Sequence, residues 1–251
     1  MIEGGILLST KEMKLVNNWL DFIHSRLFPS SCILCGAAGD KGMDLCPACQ
    51  ADLSRISPAC QRCGMPLTGD ETGKPSICGE CLQTPPPFQY TLSPYYYQPP
   101  LVQLITQFKF DHRLLMARIF AGLLAKHLSP ERHKAECIIP VPLHPHRLRE
   151  RGYNQSLEIA RLLGRQVGIA VDYQLCQRTR YTAPQTGLAA KERKSNVKNA
   201  FGLNGPCTYK HVVIVDDVIT TGHTVTELAK LLRNNGVDEI EVWSLARAVP
   251  E

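Results

Sequence analysis

A chain of 251 residues, 44% apolar, 20% charged and 7% aromatic, carries enough apolar side chain for a full core, which excludes wholesale disorder and leaves room for one or two domains. Twenty-eight basic against 23 acidic residues leave a net charge of +5, which permits an anionic partner but is too small to require nucleic acid. Eleven cysteines are the outlying count, and eight of them lie between residues 32 and 81, so the cysteines mark one dense segment and not a chain stapled throughout by disulfides.

Residues 1–30 form the first predicted segment. Ser9 and Glu12 stand in capping-box register ahead of a helix over 9–28. Val16, Trp19, Leu20, Ile23 and Leu27 share one face, and Pro29 ends the helix. The polar face mixes Lys14, Asp21 and Arg26, so this stripe is expected to pack on protein and not on a membrane. Ile6, Leu7 and Leu8 are the only early apolar run, and no stretch approaches the roughly 18 apolar residues of a membrane span. The expected location is the cytoplasm, where regularly spaced thiols hold metal more often than they form disulfides.

Residues 31–84 contain an internal repeat. Cys32-x2-Cys35, ten residues beginning with Gly36, then Cys46-x2-Cys49 is followed by Cys60-x2-Cys63, fourteen residues beginning with Gly64, then Cys78-x2-Cys81. Four thiolates per unit match tetrahedral zinc, and a CxxC knuckle followed by Gly turns the backbone so that its amides face the sulfurs. The expectation is a double zinc ribbon with two closed, structural zinc sites, paired in sequence order; spacing alone leaves a crossed arrangement open. Gly69 to Ser76 glances at a nucleotide phosphate loop, but its first spacing is one residue short and Pro75 stands where a magnesium-binding Ser or Thr is needed. Residues 84–100, rich in Pro and Tyr, read as an extended connection.

From residue 101 the texture alternates. Helical periodicity runs over 101–108, 114–128, 156–167 and 225–233; short apolar strands are expected at 137–141, 212–215 and 239–245. Strands separated by helices imply an α/β domain over 85–251 with a mainly parallel sheet and ligands at the strand C-termini. The most informative run is Val212 to Thr224. Its strand delivers Asp216 and Asp217, and a short loop, Thr220-Thr221-Gly222, leads through His223 and Thr224 into a helix. Amides at a helix start with Thr hydroxyls suit a phosphate monoester, and the paired carboxylates suit ribose hydroxyls, which together describe a sugar 5-phosphate held from both ends.

That run resembles the phosphoribosyl pyrophosphate (PRPP) signature of type I phosphoribosyltransferases. Further residues are similar to the ComF family of competence-associated proteins, in which cysteine zinc ribbons precede a phosphoribosyltransferase domain. They are Phe28-Pro29 before the first CxxC, Phe108-Lys109-Phe110, Pro140 to His144, Arg149-x-Arg151-Gly152-Tyr153-Asn154-Gln155, Gln185-x-x-Leu188, and Arg193-x-x-Asn196 to Phe201. The resemblance implies a type I phosphoribosyltransferase-like parallel sheet flanked by helices, with PRPP and magnesium at Asp216, Asp217 and 220–224. It implies a pyrophosphate loop with Arg147, Arg149, Arg151 and Gly152, and a flexible loop with Arg178, Gln185, Lys191, Arg193 and Asn196 that closes over the site. The implied reaction is transfer of phosphoribose to an acceptor the sequence does not identify, with loss of pyrophosphate. No N-terminal glutaminase cysteine is present, since Cys32 belongs to the zinc set. The other reading is a non-catalytic adaptor that handles single-stranded DNA in natural transformation, beside a competence helicase.

Other residues read plainly. His144 and His146 lack an acidic or Cys partner nearby and are expected to serve local hydrogen bonding, while Cys137 is strand core and Cys176 and Cys207 are incidental thiols. Residues 31–84 hold four basic and six acidic residues, which suits partner docking better than gripping phosphates. The segments 142–151 and 178–198 carry +2 and +5, so the chain's positive charge is concentrated in those two stretches.

Overall fold

The computed structural model describes residues 30–40, 43–69, 76–110, 114–129, 134–181 and 199–249. The N-terminal helix expected over 9–28 lies outside the described residues, as do Gln185, Lys191, Arg193 and Asn196. The chain divides into two compact units, Met1–Asp52 and Leu53–Glu251, so the second cysteine group shares a unit with the sheet.

In the first unit a short helix, α1 (Pro47–Ala51), follows Cys46, whose sulfur accepts from the Cys49 amide at 3.4 Å. The second unit opens with the other cysteine group and its equivalent helix, α2 (Gly79–Gln83). Five strands form a wholly parallel sheet: β1 (Tyr90–Leu92), β2 (Tyr95–Tyr96), β3 (Cys137–Pro140), β6 (His211–Ile219) and β7 (Glu239–Arg247). Their order is β1, β7, β6, β3, with β2 also on β7. A separate antiparallel pair, β4 (Cys176–Arg178) and β5 (Phe201–Leu203), flanks residues 179–200.

Nearly every residue of β6 and β7 is buried, as expected for parallel strands covered on both faces. Val212, Ile214 and Val242 point into a core built with α7 (His223–Asn234) and the β4–β5 pair. Alternation turns Val213 and Val215 to the opposite face, where α4 (Leu115–Ala125) and α6 (Gln155–Val167) pack on the sheet and on each other. Helix α3 (Leu101–Phe110) lies against α4, with Phe108 and Phe120 edge to face at 5.4 Å.

Three segments differ from the sequence expectation. The connection over 84–100 contains β1 and β2, because Tyr90–Leu92 and Tyr95–Tyr96 find partners on β7, a pairing that no local pattern encodes. The strand expected to stop at Val215 continues through both aspartates to Ile219, since Val218 and Ile219 resume the buried run and pair with Ala246 and Arg247. The arginine stretch is not a loop but a helix, α5 (Pro145–Arg151), started by Pro145 with His144 as its cap and stopped by Gly152 at φ +75°.

Candidate functional site

Both cysteine groups assemble in sequence order. Sulfurs of Cys32, Cys35, Cys46 and Cys49 lie within 4.8 Å of one another, and so do those of Cys60, Cys63, Cys78 and Cys81. Gly36 and Gly64 adopt φ of +76° and +71°, and their amides bond back to Cys32 and Cys60 carbonyls at 2.8 and 2.9 Å, closing each knuckle. Burial would raise the Cys32 and Cys60 thiols, but the amides turned toward them outweigh it and bring them down to about 6 and about 7. Four sulfurs in each group, enough to fill a tetrahedral shell, fit two structural zinc ions, one per group.

The sheet's C-terminal edge opens into a cavity of about 820 Å³. Asp216 and Asp217, the 220–224 loop, and Arg147, Arg151 and Arg178 all line it. The Asp216 carboxylate accepts from Ser156 Oγ at 2.9 Å and from the Asp217 amide at 2.9 Å. Asp217 accepts from the Val218 amide at 2.8 Å, and its other oxygen lies 2.7 Å from Lys109 Nζ. Burial would discharge Lys109, and Asp217 overrides it and holds the ammonium above its ordinary value.

Helix α7 starts at Gly222, which has φ +77° and offers no capping side chain, so the turn leaves first-turn amides at the cavity without an N-cap acceptor. On the other side, Asn154 starts α6: its Oδ1 accepts from the Ser156 amide at 3.0 Å and its Nδ2 donates to the Val141 carbonyl at 3.0 Å. That pair of bonds fixes Ser156 beside Asp216. Asn154→Ala is expected to cost about 1–2 kcal/mol of stability in urea denaturation, the usual value of a lost cap.

Helical spacing separates the arginines. Arg147 and Arg151, four apart, face the cavity, and Arg151 donates to Gln155 Oε1 at 3.2 Å. Arg149 is exposed and does not line it, while Gly152 caps the helix behind. Arg178, from β4, lies over the Phe201 ring at 5.6 Å. Burial lowers its pKa, against the pull of Asp216. His144 Nδ1 accepts from the His146 amide at 3.2 Å, a local bond of the expected kind, whereas His146 Nδ1 lies 3.2 Å from Glu150, one helical turn on, which is an acidic partner against expectation. Lys109, Gln155 and Ser156 are site residues beyond the sequence expectation, although Lys109 and Gln155 stand inside the family-like runs at 108–110 and 149–155.

Burial, then the neighbouring Asp217, push the Asp216 carboxyl up to about 7, against Lys109 and the Ser156 bond. Such a carboxyl keeps in the folded state a proton that the unfolded chain has released. Its contribution to stability is therefore full below the ordinary carboxyl value of 3.8 and is lost as pH rises through about 7. Thermal unfolding of the ligand-free protein is expected to show that decline between about pH 4 and about pH 7, and Asp216→Asn to flatten it.

Residues 23–82 match the double zinc ribbon domain family, and residues 154–249 match the phosphoribosyl transferase domain family. The chain is 41% identical over 211 residues to DNA utilization protein YhgH of Salmonella typhi, covering 82% of this chain and 91% of that protein. It is 39% identical over 229 residues to YhgH of Escherichia coli K12, covering 88% and 98%. Competence protein F of Haemophilus influenzae is 40% identical over 212 residues, covering 81% and 90%. Likeness of that extent, in a chain whose residues match a double zinc ribbon and then a phosphoribosyl transferase domain, makes it a member of the ComF family.

Proposed function

We propose that the chain binds PRPP in the cavity of the sheet edge and transfers its phosphoribosyl group to an acceptor, in support of DNA uptake during natural transformation. The observation that carries this reading is the convergence of Asp216 and Asp217, the 220–224 turn and two arginines of α5 on one cavity. Thr220, Thr221, His223, Thr224 and Gly222 surround the 5-phosphate, and the two carboxylates accept from the ribose hydroxyls. Arg147 and Arg151 lie where the pyrophosphate leaves. The bond from the anomeric carbon to the pyrophosphate oxygen breaks with its electron pair on pyrophosphate, and a bond to the acceptor nucleophile forms. With PRPP at Asp216 and Asp217, a magnesium ion would be held on that side of the cavity and would supply charge neutralisation to the leaving group. Arg178, which the resemblance assigns to the flexible loop, is instead the last residue of β4 and reaches the substrate from the cavity lining, while Lys191 and Arg193, with Gln185 and Asn196, close over it. The transferase domain spans 85–251, and the protein works in the reducing cytoplasm, which suits thiolate-held zinc.

The names of the relatives, DNA utilization protein and competence protein, support the DNA association. A second reading, an adaptor for single-stranded DNA working with a competence helicase, is favoured by one cluster. The half-exposed Tyr181 ring meets His144 and His146 at 5.3 and 4.8 Å beside Arg147, an aromatic platform with cations of the kind that stacks bases. Pyrophosphate release from PRPP, measured with and without single-stranded DNA, separates the two. Release supports transfer, while DNA binding lost in Tyr181→Ala with no release at any acceptor supports the adaptor.

A further inference from the structure

Lys109 brings an ammonium into the cavity beside the paired carboxylates. Its Nζ lies 2.7 Å from Asp217 Oδ2, with 22% of the lysine side chain and 10% of the aspartate's exposed. That carboxylate oxygen is buried, whereas Asp217 Oδ1 takes the Val218 amide and Asp216 Oδ1 takes the Ser156 hydroxyl and the Asp217 amide. The ammonium thus covers an oxygen that a ribose hydroxyl at Asp217 would take, and the hydroxyl reaches it once the ammonium moves aside.

A displaced ammonium this enclosed requires another anion, because an unpaired charge held away from bulk water is costly. Among the described residues that line the cavity the only carboxylates are Asp216 and Asp217, so the anion has to come from the ligand. The residues on either side of Lys109 show which part of the ligand lies within its reach. Tyr153, two residues beyond the end of α5, donates its hydroxyl to the Phe108 carbonyl, and its ring packs on Phe108 at 5.5 Å. Arg151 lies over the Phe110 ring, 5.7 Å from its centre. Both chain neighbours of Lys109 therefore contact the stretch at the end of α5, where the pyrophosphate-side Arg151 stands. The last turn of α3 is held in place by these contacts, and what can swing is the ammonium on its flexible four-carbon stem.

We propose that Lys109 is a ligand-contacting residue that trades Asp217 for the pyrophosphate of PRPP, and that this exchange lets the site distinguish PRPP from ribose 5-phosphate. In the free chain the ammonium neutralises Asp217. When a sugar hydroxyl takes Asp217 Oδ2, the ammonium turns to the pyrophosphate oxygens beside Arg151. Ribose 5-phosphate brings the same hydroxyls to Asp217 but no pyrophosphate, so it displaces the ammonium without giving it a new partner. The lysine therefore favours PRPP and penalises its pyrophosphate-free counterpart, a discrimination made by leaving a charge unpaired in the wrong complex. This inference rests on the proposed PRPP role of the cavity.

The test measures dissociation constants of PRPP and of ribose 5-phosphate, each with magnesium, by calorimetry on the full zinc-loaded chain. Lys109→Met is expected to bind PRPP about 10- to 100-fold more weakly than the parent, the usual weight of a hydrogen bond to a charged group. Ribose 5-phosphate is expected to bind Lys109→Met at least as tightly as it binds the parent. Lys109→Arg, which keeps the charge, is expected to recover part of the PRPP affinity. A purely structural ion pair gives the same PRPP constant in the parent and Lys109→Met; that result overturns the proposal, as does an equal loss for both ligands. If Lys109→Met does not fold, the parent decides through acetylation of Lys109 by acetic anhydride, read by peptide mass spectrometry. PRPP is expected to protect Lys109, and ribose 5-phosphate to leave it at least as reactive as in the free chain; equal protection by the two overturns the proposal. If PRPP fails to bind the parent, the proposed function falls and the exchange with it, whereas PRPP binding that is indifferent to Lys109 sinks the exchange alone.

Discussion

PRPP with magnesium is expected to raise the unfolding temperature of this protein, and the double substitution Asp216→Ala with Asp217→Ala to abolish the rise. At a hundredfold excess over its dissociation constant, a ligand that binds only the folded state stabilises by about 2.7 kcal/mol, or roughly 5–10 °C for a chain of this size. The carboxylates provide the acceptors for ribose hydroxyls on that wall of the cavity, so removing both leaves the sugar without its partners while the 220–224 turn is untouched. Alanine at both positions also strips Lys109 of its ion pair, a 2.7 Å contact between α3 and β6. Lys109→Met serves as the control. It removes the same pair but keeps both carboxylates, so its unfolding temperature without ligand gives the pair's own share of the stability change. No thermal shift in the parent protein removes the PRPP assignment.

Cys60→Ser is the second substitution with a large expected effect. It opens a zinc site whose knuckle is hydrogen-bonded to Thr91 of the sheet, so the loss is not confined to the ribbon. The metal's folding contribution is lost together with the amide-backed thiolate, and the unfolding temperature of the Leu53–Glu251 unit is expected to fall by roughly 10 °C, on the order of 3 kcal/mol. Cys32→Ser removes one zinc equivalent as well but touches none of those hydrogen bonds. Zinc content by elemental analysis and a thermal scan on each variant check the contrast. Equal falls in the two variants contradict the special attachment of the second ribbon.

The cysteine groups were legible because their chemistry is local: two knuckles, each followed by a glycine, define their own turns without help from the rest of the chain. The signature around Asp216 was legible for the same reason. What the sequence hid was whatever depends on a distant partner. Tyr90–Leu92 and Tyr95–Tyr96 become strands only because β7 lies alongside them, and Lys109 becomes a site residue only because α3 ends next to β6. Residues 145–151 carried start and stop signals, Pro145 and Gly152, but seven residues are too few for an apolar stripe to announce a helix. Once that helix is seen, the three arginines cease to be equivalent, and Arg149 separates from the two that face the cavity.

The attachment of the second ribbon also decides where the sheet ends. The outward amide of Thr91 is taken by Gln61, and beyond β2 the Ile56 amide bonds to Pro94 while the Tyr96 amide bonds to Ser54, at 2.9 and 3.0 Å. The flank of the sheet that carries β1 and β2 is therefore already occupied by the chain's own backbone, and this is the side on which another strand could otherwise add. A shortened protein that begins after residue 84, designed to isolate the transferase domain, exposes that flank and invites self-association through it. The ribbon thus acts as an edge guard, and any minimal version of this domain has to begin no later than Leu53.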